Sequence, residues 1–347
     1  MLRNDEGLFS IDFLVGFTIF MVALIAVASM VPGLLAGLQS SGIDYDAVAY
    51  RTGVILAEDP GWPVDPPWEA YDVNHSGEIE RTGLAVSKDA PNILLSTKIE
   101  KFFDTSFFDP EDYRSKAIFG DIPYSYNITL RSLDGRYNHA VGQETPEGYG
   151  YIRRVVKIKE PSVAVINGSF KDRYTISPDD NSTTRTFIVR FDFNRLINLS
   201  IDPAYRIDPR TEPVNITITD FEKFLNGTAS EATLKSVTFR RGSSSIPFPY
   251  DEDDTDYYTL RIDNNPVLYP PEPGVGVSSN ISLVLKPAAT SLFELGPTSI
   301  LDVEFNFEED EGEPPDTNIT GIHYYDYNPT NVTRPDLKPA VLEVAIW

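Results

Sequence analysis

The longest uninterrupted apolar stretch runs from Phe13 to Leu38 and holds no charged residue. At ~1.5 Å per helical residue, about 26 residues reach ~39 Å, against a hydrocarbon core of ~30 Å. The sequence therefore predicts a membrane-crossing helix, with Pro32 as a kink or local break inside it. Beyond it the apolar positions narrow to one face. Leu38, Ile43, Ala47, Val48, Val54, Ile55 and Leu56 recur among Asp44, Asp46, Arg51 and Glu58. This extends the helical reading to residue 58, with Gly42 as a weak junction. Asp59-Pro60-Gly61 stops it, and Trp62-Pro63 to Pro66-Pro67-Trp68 reads as a stiff linker.

From Ala70 onward the period is mixed. Glu78–Val86 reads as a strand, and Pro91–Phe103 as a helix with proline near its start. Tyr124–Ser132 and Tyr149–Ile166 alternate apolar and polar residues, as antiparallel strands do. After Lys171 short strands dominate: Thr186–Phe193, Ile197–Ile201, Val214–Asp220, Leu234–Arg241, Tyr257–Ile262, Ile281–Leu285, Leu301–Phe307 and Val341–Trp347. Proline, glycine and asparagine separate them, the pattern of a β-sandwich. The fold class predicted is α+β: a long N-terminal transmembrane helix, a small α/β head, then a C-terminal antiparallel β-sandwich. The boundaries are a leader over 1–7, a helix over 8–58, a proline-rich linker over 59–69, a head over 70–170 and a sandwich over 171–347.

The residues ahead of the apolar run carry their own signal. Met1-Leu2-Arg3-Asn4-Asp5-Glu6-Gly7 is short and polar and ends in glycine, and one carboxylate, Asp12, opens the run. A secretory signal has an apolar region of roughly 7–15 residues, shorter than this one. These residues resemble an archaeal type IV pilin or pseudopilin with a class III signal peptide. The resemblance covers about the first 50 residues. It departs from the family's pattern in the acidic Asp5 and Glu6, where Lys or Arg is usual, and in Asp rather than Glu at Asp12. It implies cleavage between Gly7 and Leu8 by a prepilin-type peptidase, which makes Asp12 the fifth residue of the mature chain. It implies that Asp12 meets the free amino group of Leu8 on a neighbouring pilin-like subunit, and that a long helix feeds a small sheet in the head. Ser29, Gly33 and Gly37 lie four apart on one helical face, where small residues let helices approach closely. An uncleaved signal anchor is the alternative reading of the same segment.

Composition sharpens the location. Asn-X-Ser/Thr sites occur at Asn74, Asn127, Asn167, Asn181, Asn198, Asn215, Asn226, Asn280, Asn318 and Asn331, ten where chance predicts about three. All follow the apolar run, which points to an extracytoplasmic, N-glycosylated surface with the leader inside. The net charge of −23 argues against nucleic-acid binding. With no cysteine, disulfides and thiolate chemistry are excluded. The acidic run around Asp251, Asp253 and Asp254 is a weak calcium candidate, as is Glu308–Glu311. Asp72–Glu80 resembles the start of a calcium loop, but Gly83 stands where a bidentate glutamate belongs, and a polar turn bearing a glycan on Asn74 is the preferred reading. His75, His139 and His323 fall in no nucleophile or zinc spacing, so the chain is read as a non-enzyme. The expectation is a pilin-like surface glycoprotein, a minor, tip or pseudopilin-like subunit. The alternative is a single-pass surface glycoprotein that never polymerises.

Overall fold

A computed structural model describes residues 11–38, 44–120, 122–175, 182–246, 257–267, 274–308, 313–326, 332–333 and 337–347. The chain divides into two units, Met1–Asp44 and Tyr45–Trp347. The first contains α1 (Ile11–Leu38), a single helix of 28 residues. Its window Ile11–Met30 has a mean hydropathy of 2.5, and none of it is buried inside the molecule. The helix runs on through Pro32, so the expected break is not seen. Gly42 lies outside the described residues.

The second unit opens with α2 (Tyr45–Glu58), which buries Val48, Ala49, Thr52, Gly53, Leu56 and Ala57. These recur at one-and-four spacing and form one face. Small residues on that face let the helix sit low on its sheet. A Cβ at Gly53 would come within 2.9 Å of Ile152, and one at Gly150 within 2.1 Å of the Tyr45 backbone.

Strands β1 (Ile93–Leu95), β2 (Tyr126–Ser132), β3 (Asn138–Gly142) and β4 (Gly150–Lys159) come next. They are followed by β5 (Ser162–Asn167), β6 (Thr184–Asp192), β7 (Val214–Thr219), β8 (Ala232–Arg241), β9 (Ser244–Ile246), β10 (Tyr258–Ile262) and β11 (Asn265–Val267). The series ends with β12 (Val275–Val277), β13 (Ile281–Leu285), β14 (Ile300–Glu308), β15 (Gly321–Tyr325), β16 (Val332–Thr333) and β17 (Lys338–Ile346). The first sheet has the order β1-β4-β17-β2-β3, the second β11-β10-β13-β7-β5-β16, and the third β12-β8-β14-β6-β15 with β9 beside β8. Buried side chains of α2 and the first sheet form one apolar core, which includes Leu56, Ile158 and Leu342. Those of the other two sheets form a second, around Phe187, Ile216, Phe239 and Phe305.

Several expectations change. The strand ending the chain belongs to the first sheet, where β17 pairs antiparallel with both β4 and β2, and not to the C-terminal region. Its alternation reveals a strand but not a partner. The C-terminal region is also not wholly antiparallel, because β15 runs parallel to β6, and β5, expected in the head, joins the second sheet in parallel with β7. Pro91–Phe103 splits into β1 and α3 (Ser96–Phe102), since Ile93–Leu95 pair in parallel with Lys157–Lys159. Ile197–Ile201 forms turns, and Glu78–Val86 contributes only isolated bridges. The expected linker is docked: Trp68 is fully buried, and its indole N–H donates to the carbonyls of Pro60 (3.1 Å) and Gly83 (3.0 Å).

Candidate functional site

All four predicted assembly positions lie within the apolar helix. Asp12 lies exposed in the first turn of α1. Ser29 turns its hydroxyl back to the Ala26 carbonyl (2.8 Å), and Thr18 does the same to Leu14 (2.7 Å). Each hydroxyl is thereby satisfied inside its own helix, as an apolar surrounding demands. Gly33 and Gly37 fall in the last turns of α1. Gly7 and Leu8 lie outside the described residues.

The sequons divide by local structure. Asn74 and Asn198 are exposed in turns. The Asn198 side-chain carbonyl accepts from the Ser200 amide (2.9 Å), and that of Asn167 from the Ser169 amide (2.7 Å), two Asx turns. Asn127, Asn215, Asn280 and Asn318 are half-buried and stand on extended chain, each followed by isoleucine. Those isoleucines, Ile128, Ile216, Ile281 and Ile319, are at most 1% exposed. Extended chain alternates faces, so asparagine and its Ser/Thr point away from the core that the isoleucine enters. Asn226 is half-buried and donates to the Pro315 carbonyl (3.0 Å). Asn181 and Asn331 lie outside the described residues, as do Asp251, Asp253 and Asp254.

Where the first sheet's region meets the other two sheets, the structure buries charge that sequence reasoning missed. Lys159, the last residue of β4, lies 2.7 Å from Glu212, and both side chains are fully buried. Lys159 also donates to the Arg206 carbonyl (2.6 Å), and Glu212 accepts from the Asp208 amide (3.0 Å). Nearby, Lys98 on α3 and Glu69 on the 3-10 turn Trp68–Ala70 are 3.9 Å apart, with side chains 2% and 6% exposed. Lys98 donates to the Pro60 carbonyl (2.5 Å), but neither Glu69 oxygen accepts a hydrogen bond from a described residue. Burial pushes both carboxyls above their ordinary range, and the lysine beside each pulls the other way. Burial also holds the Lys98 ammonium below its ordinary range, with Glu69 opposing. A cavity of about 450 Å³ opens here, walled by Glu69, Tyr71, Thr97, Lys101, Asn215 and Lys286 among others. No sequence signal marks these residues, because single lysines and glutamates in polar stretches look like surface.

The remaining candidates have structural partners. Asp72 caps the 3-10 helix Val73–Glu78 and lies 2.6 Å from the His75 ring, so the calcium-like stretch is a capped turn. His139 stacks on Phe103 (5.3 Å), and buried His323 meets the Tyr174 hydroxyl (2.9 Å). Among the described residues, no three His, Asp or Glu side chains converge on a metal position.

No protein-family model matches the chain. No solved structure matches it. A protein of Archaeoglobus fulgidus, described as uncharacterized, is 35% identical over 104 residues, which are 28% of this chain and 53% of that protein. The chain thus spans about half the length of the curated relative it matches.

Proposed function

We propose that this chain is a type IV pilin-like cell-surface glycoprotein subunit, held in a membrane by α1 and presenting the unit Tyr45–Trp347 outside. The observation that carries this is the helix Ile11–Met30, free of charge after Asp12 and unburied among the described residues, with the Gly7-Leu8…Asp12 pattern at its start. An apolar helix left unburied by the other described residues calls for lipid or for other helices. In this reading a prepilin-type peptidase cuts after Gly7, and the helix packs with neighbouring subunits through Ser29, Gly33 and Gly37. Asp12 neutralises the amino group of a neighbour's Leu8, which spares a carboxylate in hydrocarbon. The first sheet with α2 is the pilin-like head, and the other two sheets, which share one core, are the layers of a β-sandwich. The sequons supply a glycan coat, and the chain has a structural or adhesive role rather than a catalytic one. A head of this size suits a minor or tip subunit better than a bulk filament subunit.

Mass spectrometry of the native amino terminus in the membrane fraction tests the reading. A mature chain that starts at Leu8 supports it. A chain that keeps residues 1–7 favours the second reading, a single-pass anchored glycoprotein that does not polymerise.

A further inference from the structure

A cavity of about 450 Å³ lies between residues of the two cores. Its volume lies within the range of small-molecule sites and far exceeds the ~30 Å³ share of one water. Its wall mixes apolar surface from Pro161, Pro213 and Val284 with the polar side chains of Glu69, Thr97, Lys101, Asn215 and Lys286. Both Glu69 oxygens, the Thr97 hydroxyl and the Asn215 side-chain carbonyl are buried and accept nothing from a described residue. Such atoms are costly while they stay unsatisfied. The ligand class that answers this wall carries several hydroxyls on a ring with apolar C–H faces, which is a sugar. One of the wall residues is itself an acceptor for sugar: Asn215 opens the sequon Asn215-Ile216-Thr217 on β7. Alternation sends Ile216 into the core and keeps Asn215 and Thr217 together on the face that borders the cavity.

We propose that Asn215 carries an N-linked glycan whose first ring sits in this cavity and joins the two cores, so that this sugar is an internal structural ligand and not part of the outer coat. Its hydroxyls face the polar side chains of the wall and its C–H face lies on the proline-rich side. The inference rests on the proposed reading that the sequons are used.

Site-by-site glycopeptide mass spectrometry of the native full chain, paired with thermal unfolding in detergent, tests it. Thr217→Val keeps the branched shape but removes the sequon, Thr217→Ser retains the sequon, and Ser200→Ala removes the exposed sequon at Asn198. The expected result is a sugar mass on Asn215. Thr217→Val loses that mass and lowers the unfolding midpoint by about 3 °C or more, whereas Thr217→Ser and Ser200→Ala leave the midpoint in place. Sugar at other sequons with bare Asn215 overturns this inference and leaves the glycoprotein reading standing. Sugar at no sequon overturns both. Sugar on Asn215 with an unchanged midpoint in Thr217→Val overturns its seating in the cavity.

Discussion

The two buried ion pairs between the cores are alike in charge and burial and differ in how their carboxylates are met. Glu212 has Lys159 at 2.7 Å and an amide from Asp208, both on one oxygen, while its other oxygen accepts nothing from a described residue. Glu69 has Lys98 at 3.9 Å and no hydrogen bond from a described residue. The cost of taking a carboxylate out of water is similar at both places, so the return decides which pair holds the fold together. The first pair is an integral tie between β4 and the segment that leads into β7. The second is a carboxylate still short of partners, on the wall of a cavity. The two pairs differ in the count of donors around the carboxylate, two for Glu212 and none by hydrogen bond for Glu69 among the described residues.

The largest effect follows from breaking the tighter pair. Lys159→Met leaves Glu212 buried without its cation and should cost about 3–5 kcal/mol, measured by chemical unfolding of the full chain in detergent. Lys159→Met with Glu212→Leu should recover most of that loss, because no uncompensated charge remains. A double variant as unstable as the single one would mean that the pair itself, and not the orphaned carboxylate, supplies the stability.

A carboxylate met by donors alone extends the comparison. Asp263 lies in the two-residue turn between β10 and β11, where it and Asn264 both have positive φ, and asparagine and aspartate tolerate that conformation. It accepts from the amides of Ser278, Ser279 and Asn280 and from the hydroxyls of Ser278 and Ser279, at 2.7–2.9 Å. Partial burial works to raise its pKa, but these five bonds outweigh it and hold the group well below the ordinary value of 3.8. Its contribution is therefore present above pH 3.8 and is lost as pH falls below that value. Asp263→Asn should cost about 2 kcal/mol at pH 6 and much less at pH 2.5, read from unfolding at the two pH values.

The smallest effect belongs to the underserved carboxylate. Glu69→Gln should change stability at neutral pH by about 1 kcal/mol or less, since the amide avoids the desolvation that the carboxylate meets. The sign with pH also follows. A carboxyl raised above its unfolded value of 4.5 gives its full stabilisation below pH 4.5 and loses it as pH rises through the folded value. The wild type should thus weaken relative to Glu69→Gln as pH climbs above 4.5. A wild type that gains on the variant over that range would show that Glu69 is well partnered after all.

Elements with strong local pattern were legible in the sequence. The apolar run marks α1, and alternation places β6, β8 and β14 within a residue or two of their observed bounds. What failed was long-range. Ile93-Leu94-Leu95 fits a helical period as well as a strand, and only its parallel partner β4, more than sixty residues away, selects the strand. The ion pair of Lys159 and Glu212 spans 53 residues, and nothing local marks either as buried. The sequons were visible as a composition signal. Their concentration on extended chain, with isoleucine turned inward, emerged only with the fold.

The position of β17 sets an order of events. It is the middle strand of the first sheet, yet it follows the whole of β5 to β16 in the chain. As the polypeptide is made, α2 and β1 to β4 emerge early but lack the strand that separates β4 from β2. The later sheets can close on their own core first. The early segment must wait with an open groove until residue 346 arrives, a long-separation pairing of the kind that folds slowly and exposes unpaired edges. The first sheet is thus the last part to be completed, so truncation anywhere between β4 and β17 removes its central strand.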